Sequence, residues 1–161
     1  MLHKYFSRFL TVLITVVGLF VGCASPAGED GGVSVYHKWV DSYSSYYEIT
    51  KDYFKNYGND YSSYEGNNVT VIEDENDKTQ GTVFIKYTVA INSDNSFSET
   101  APDVGKWYAI RYNNLKNDSV SISGVYKENG KTATETLEEA KIEFTQENGY
   151  FAYFSECVIA D

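Results

Sequence analysis

Proline, histidine, methionine and cysteine are all scarce in this chain of 161 residues. It has two prolines, two histidines, two cysteines and a single methionine. The spacings that zinc ligands use, such as CxxC and HxxxH, do not occur. Because proline interrupts strand pairing, its scarcity favours long uninterrupted strands. The sequence therefore argues against a zinc domain and is compatible with an extended sheet.

Basic residues and long apolar runs are also in short supply. Thirteen lysines and arginines stand against 23 acidic residues, a formal net charge of −10. Nucleic-acid binding needs clustered positive charge, so it is not expected. The apolar run Phe9–Val21 has 13 residues, whereas a membrane-spanning helix needs about 20. This run has instead the length of the apolar part of an export signal.

The flanks of this run support export. Lys4 and Arg8 precede it, and Leu19-Phe20-Val21-Gly22-Cys23 follows, which resembles a bacterial lipobox with Phe20 in place of the usual leucine. The resemblance implies that residues 1–22 are a lipoprotein signal peptide and that Cys23 carries diacylglycerol and fatty acyl chains. Two alternatives stay open: secretion with cleavage near residues 25–27, and an uncleaved anchor.

Removal of the leader makes the remaining chain more acidic. It would hold 11 basic and 23 acidic residues, so attraction to anionic headgroups is not expected and the acyl chains must hold the protein at the membrane. We expect a flexible tether over residues 23–34, which are small and glycine-rich. Cys157 would then lack a partner, which favours a buried thiol over a reactive one. The expected location is the outer membrane or the cell surface.

Aromatic residues are abundant, with fifteen tyrosines, nine phenylalanines and two tryptophans. Such residues favour strands, and polar and apolar residues alternate from residue 36 onward. Val83, Ile85, Tyr87, Val89 and Ile91 would share one face. Val120 and Ile122 would face inward while Ser121 and Ser123 face outward. We predict strands at 36–41, 46–50, 52–57, 61–64, 69–73, 82–91, 106–113, 119–126 and 150–159, with a turn at 65–68 and an acidic loop at 74–81.

One helix is predicted at residues 136–147. Thr136 and Glu139 have the spacing of a capping box, and Leu137, Ala140 and Phe144 would form one apolar stripe. Asn148-Gly149 would end the helix. Residues 35–161 are therefore predicted to form an all-β domain with one helix. A sheet of about eight strands must close into a barrel or bury both of its faces. We expect an antiparallel β-barrel, with a two-sheet sandwich as the alternative.

Two resemblances bear on this domain. Gly105-Lys106-Trp107-Tyr108 is similar to the Gly-x-Trp motif of lipocalins, which carry it on their first strand, where this chain has Trp39 without the glycine. This likeness implies a lipocalin-like barrel. The lipobox and segments such as 105–115, 119–127 and 149–157 resemble the small, tyrosine-rich lipoproteins of spirochaetes. That second likeness implies a location at the bacterial envelope and a barrel fold, and it implies no catalytic activity.

Tyrosine and tryptophan are the candidate binding residues. Seven tyrosines fall within residues 43–64, more than one strand face can bury. Exposed aromatic rings suit sugars, peptides or protein partners; the alternative is that they form cross-strand pairs that stabilise the sheet. The candidate ligand-binding residues are Trp39, Tyr43, Tyr47, Trp107 and Tyr108.

No catalytic or metal site is expected. His37 would be the single available base, and no Gly-x-Ser-x-Gly elbow occurs. The acidic segment 73–77 could attract calcium but lacks the EF-hand order. The expected function is a non-enzymatic, lipid-anchored envelope protein that binds a small molecule, a glycan or a protein. A structural or antigenic surface protein and an unrecognised hydrolase remain as alternatives.

Overall fold

The computed structural model describes residues 33–59 and 62–160, so the leader and Cys23 lie outside the described residues. Within those two ranges the chain forms nine strands and one helix. The elements are β1 (Lys38–Asp41), β2 (Tyr46–Ile49), β3 (Tyr53–Tyr57), β4 (Ser62–Asp74), β5 (Asp77–Ile91), β6 (Phe97–Ser98), β7 (Trp107–Asn113), β8 (Ser119–Gly124), α1 (Leu137–Glu143) and β9 (Ser155–Ile159).

Eight of these strands close into an antiparallel barrel. Strands β1 to β5 pair in sequence order, β5 continues to β7, and β7, β8 and β9 follow in turn. The barrel closes where β9 pairs with β1, with Val40 opposite Val158. The two-residue β6 pairs with the end of β5. This up-and-down order confirms the predicted antiparallel β-barrel and not the two-sheet sandwich.

The helix packs outside the barrel, as predicted. Thr136 and Glu139 form both hydrogen bonds of the capping box, and Ala140 packs with Ala109 of β7. The predicted end at residue 147 is wrong, because α1 stops at Glu143 with Phe144 as its C-cap. No helix in the described part of the chain is long and apolar enough to cross a bilayer.

Strand β4 corrects another expectation. The predicted turn at residues 65–68 lies inside this strand, and the predicted loop at 74–81 is already β5 from Asp77. The pairing of β4 with β5 is irregular between Asn67 and Thr70, and Asn68 has φ 53°. Residues that favour turns therefore form a bulge here, which bends a long strand around a small barrel.

Two more expectations need correction. Ser121 and Ser123 lie on the outward face of β8, as predicted from the inward Val120 and Ile122, but they are buried there, and Ser121 donates a hydrogen bond to Glu156 of β9 at 2.8 Å. The last strand begins at Ser155 rather than at residue 150, because Tyr150 and Phe151 pack into the cluster beneath α1.

Large side chains occupy the interior of the barrel. Trp39 and Phe54 are fully buried there, together with Ile85 and Ile110. Tyr108 lies so close to the α-carbon of Gly124 that a Cβ atom there would overlap its hydroxyl oxygen. Since Gly124 has no side chain, the tyrosine ring can fill this space.

Gly124→Ala should lower the free energy of unfolding by about 1–3 kcal/mol, because overfilling a packed core forces side chains out of position. In a Tyr108→Phe background the same substitution should cost less than about 1 kcal/mol. Without the hydroxyl oxygen of residue 108, the atoms nearest to the new methyl group are the Tyr64 hydroxyl oxygen at 3.3 Å and a ring carbon of residue 108 at 3.5 Å. Urea denaturation of the four proteins in this cycle measures the difference, and equal costs in both backgrounds would contradict the packing.

Candidate ligand groove on the outer face of the barrel

The structure does not bring the five predicted aromatic residues together. Trp39 is fully buried and Tyr108 is 6 % exposed, both in the interior cluster. Tyr47 is half-buried and packs against that cluster. Tyr43 is 87 % exposed in the turn between β1 and β2. Trp107 packs outside the barrel in the cluster beneath α1, so these residues do not line one cavity.

The tyrosine-rich segment mostly serves packing within the sheet. Tyr46 and Tyr57 face each other in the β2–β3 register and stack with ring centroids 5.1 Å apart. Tyr64 stacks on Phe54 at 5.6 Å and meets Tyr108 edge-on at 5.0 Å. Cross-strand pairs of this kind stabilise sheets. Tyr43 remains as an exposed ring that this packing does not use.

Cys157 is a buried core residue, in agreement with the sequence interpretation. It is 2 % exposed, and its thiol donates a weak hydrogen bond to the Ser155 carbonyl oxygen at 3.4 Å. Burial raises the pKa of this thiol to about 12, and the nearby Asp41 and Glu156 add to the effect. A thiol that stays protonated at neutral pH is a poor nucleophile.

A groove of about 450 Å³ lies on the outer face of the barrel, beside the C-terminal end of α1. Val83 and Ile85 point into the barrel, so the intervening Thr82 and Phe84 point outward. In the strand register Thr82 faces Ile72 on one side and Arg111 on the other. This row of side chains across β4, β5 and β7 forms the base of the groove.

Arg111 is the most heavily bonded side chain of the groove. Its Nη1 and Nη2 atoms donate to the two carboxylate oxygens of Asp74 at 2.8 and 2.5 Å. Thr82 and Gln80 accept further hydrogen bonds from the same two nitrogens, at 3.3 and 3.0 Å. The hydrogen-bonded guanidinium group of Arg111 lowers the pKa of the Asp74 carboxyl group below its usual value. The pair is therefore ionised and held in a fixed orientation at neutral pH.

This arrangement is costly for a purely structural pair. The Arg111 side chain is 12 % exposed, and its Nε atom is buried without an acceptor among the described residues. An unsatisfied buried donor costs about 1–3 kcal/mol, and an apolar pair of similar volume is often as stable as a buried ion pair.

Phenylalanine side chains form the opposite wall. Phe84, Phe144 and Phe151 are each less than 5 % exposed and line the groove. Phe151 has φ 61°, a left-handed conformation that is strained for an aromatic residue. Lys141 and Gln146 stand at the rim. The groove thus combines an apolar wall with a charged pair at its base and polar groups at its entrance.

The environment of Asp74 does not suit a general acid. A general acid for hydrolysis needs a raised pKa, which burial in apolar surroundings provides. The pKa of Asp74 is lowered instead, and Glu147, the other acid of the lining, is exposed. The acidic segment 73–77 is the tip of the β4–β5 hairpin. In the two described ranges no three His, Cys, Asp or Glu residues gather as metal ligands would.

A second depression of about 540 Å³ is more open to solvent. Its lining includes Glu65, Lys86, Glu99 and Gly105, and Glu65 is already paired with Lys55 at 2.9 Å. A shallow polar surface holds a small ligand less well than a groove with an apolar wall. The groove beside α1 is therefore the better candidate.

Sequence reasoning missed the groove residues, since Arg111 and Asp74 are 37 positions apart and belong to no motif. The available signal was a charged residue inside a strand, since Arg111 lies within the predicted strand 106–113. Comparison with models of protein families gives no match, and no curated protein or solved structure matches the chain either.

Proposed function

We propose that this protein is an acyl-anchored, exported envelope protein that binds a ligand without transforming it, and that it binds in the groove beside α1. The observation that carries the proposal is the oriented Arg111–Asp74 pair at the base of a groove with a phenylalanine wall. Small-molecule sites combine an apolar lining with a few fixed polar groups in this way.

The filled interior bears on how the protein would bind. Lipocalin-like barrels can hold one small ligand inside, but here Trp39, Phe54 and Tyr108 take up interior space. Binding on the outer face is therefore the proposed mode. The same filled interior also favours the alternative of a structural or antigenic surface protein, since such a protein needs a stable body and no groove ligand.

The anchor rests on the leader sequence. Because the chain outside the leader carries a formal net charge of −12, acyl chains on Cys23 are the proposed means of holding it at an anionic surface. Two or more chains on one cysteine would give stable attachment, which a single chain does not.

Radioactive palmitate should label the wild-type protein in bacteria that process lipoproteins, and Cys23→Ser should abolish the label. Cys157→Ser is the matched control, because it removes the other cysteine of the chain and should leave labelling unchanged. Immunoprecipitation followed by fluorography measures the label relative to the amount of protein. Equal labelling of Cys23→Ser and wild type would contradict the anchor.

A further inference from the structure

The four charged side chains that line the groove sum to zero, with Arg111 and Lys141 against Asp74 and Glu147. Arg111 is paired with Asp74, and Lys141 donates to Glu138 at 2.7 Å. An anionic ligand such as a phosphate would have to compete with these carboxylates for both cations. A cationic ligand would have to compete with Arg111 for Asp74, and the other carboxylate, Glu147, is exposed to solvent, where an ion pair gains little. The balance therefore disfavours a strongly charged ligand of either sign.

The polar groups also disfavour a purely apolar ligand. A fatty chain laid along Phe84 and Phe144 would cover the Arg111–Asp74 pair and leave the remaining hydrogen-bonding capacity of Asp74 unused. Burying polar groups without partners is unfavourable. A suitable ligand must therefore have an apolar surface for one wall and uncharged hydrogen-bonding groups for the other.

Hydroxyl groups fit the remaining hydrogen-bonding positions. A carboxylate has about four acceptor positions, and Arg111 uses one at each oxygen of Asp74. The Asp74 side chain is 37 % exposed, so further acceptor capacity is open to a ligand. Because Asp74 is ionised, it would accept hydrogen bonds from hydroxyl donors. Gln146 at the rim offers both a donor and an acceptor.

We infer that the groove binds an uncharged sugar of one or two rings, with the apolar face of a ring against Ile72 and the phenylalanine wall and its hydroxyls on Asp74 and Gln146. Ile72 is 41 % exposed and lies beside Thr82 in the register. The volume of about 450 Å³ is within the usual range for small-ligand sites. This inference rests on the proposed groove function and names its ligand class.

The test titrates the full-length chain in detergent with maltose, lactose, cellobiose and the N-acetylglucosamine dimer, followed by calorimetry. Concentrations up to about 10 mM detect ligands whose Kd is millimolar. Parallel titrations use glucose 6-phosphate and a soluble fatty acid. At least one neutral disaccharide should bind, and both of the parallel probes should bind at least tenfold more weakly.

Variants locate the binding. Gln146→Trp places a large ring at the rim of the groove and should weaken sugar binding at least tenfold. Ile142→Trp is the matched control: Ile142 is 75 % exposed on α1 and does not line the groove, so its Kd should stay within twofold of wild type. Asp74→Asn should weaken binding about tenfold, since hydrogen bonds to a charged acceptor are stronger than those to an amide. Circular dichroism confirms that each variant is folded.

The possible failures are distinguishable. In one outcome no neutral sugar binds, but glucose 6-phosphate or the fatty acid binds and Gln146→Trp abolishes that binding. The sugar inference is then overturned and the groove function stands. If a sugar binds equally well to wild type and Gln146→Trp, the groove is the wrong place. If no probe binds in any titration, the inference and the groove function both fall.

Discussion

Trp39→Ala should lower the free energy of unfolding by about 3–5 kcal/mol, the loss typical of a fully buried tryptophan. Trp39 has no exposed surface and lies in the interior cluster. Its indole N–H donates to the Val35 carbonyl oxygen at 2.9 Å, so truncation removes a hydrogen bond as well as a large apolar side chain. Such a loss is a large part of the 5–15 kcal/mol that stabilises a typical domain.

Urea denaturation followed by circular dichroism measures this loss. Tyr43→Ala is the control, because Tyr43 is 87 % exposed and should change stability by no more than about 0.5 kcal/mol. A Trp39→Ala protein as stable as the control would contradict the filled interior. It would also reopen the possibility that Trp39 faces a cavity and contacts a ligand there.

Alkaline pH should unfold the barrel over a narrow range that begins near pH 10. Burial raises the pKa of Tyr112 to about 12, and it raises the pKa values of Tyr87 and Tyr108 as well. In the unfolded chain these phenols ionise near pH 10. Because the folded pKa values are the higher ones, their stabilising effect is complete below pH 10 and is lost as the pH rises above it.

The loss should be steep. Each tyrosine that is protonated in the folded state and ionised in the unfolded state lowers stability by about 1.4 kcal/mol per pH unit. Tyrosinate absorbance and far-ultraviolet circular dichroism should therefore change together for the buried rings. Tyr108→Phe should make the pH dependence less steep, because it removes one of the buried phenols whose pKa is raised. Titration of all tyrosines near pH 10 with the sheet intact would contradict their burial.

Local sequence patterns predicted the elements whose positions depend on residues close together in the chain. Of the five residues predicted to share one face of β5, Val83, Ile85 and Tyr87 are buried, whereas Ile91 is 42 % exposed and its neighbour Ala90 lies in the core. Thr136 and Glu139 lie within one turn of each other, so their spacing alone located the start of α1. The number of strands and the need to pair every edge also favoured a closed barrel, with the two-sheet sandwich left as the alternative.

The errors arose where contacts between distant parts of the chain determine the local structure. Residues 65–68 have turn chemistry, but pairing with β3 and β5 holds them in one long, bulged strand. Ser121 faces outward as predicted, but its burial was missed, because Glu156 of β9 reaches it and accepts a hydrogen bond from its hydroxyl group. Neither contact is visible to a pattern that covers only a few residues.

The candidate site lay beyond sequence reasoning for the same reason. Arg111 of β7 reaches Asp74 of β4 because both strands pair with β5, which brings them to either side of it. The composition drew attention to tyrosine and tryptophan, but Trp39 and Tyr108 fill the barrel. The sequence left open whether the abundant rings form a binding surface or pair across strands, and much of their area lies in the interior.

Chemical-shift mapping of the isotope-labelled full-length protein, titrated with the disaccharide that binds most tightly, would test most directly whether ligands bind outside a filled barrel. The predicted result is a set of shifts confined to the groove, at Thr82, Phe84, Arg111 and Gln146, with the disaccharide recovered intact. Shifts centred on interior residues such as Trp39 and Ile85, or release of single sugars during the titration, would contradict binding without chemistry on the outer face.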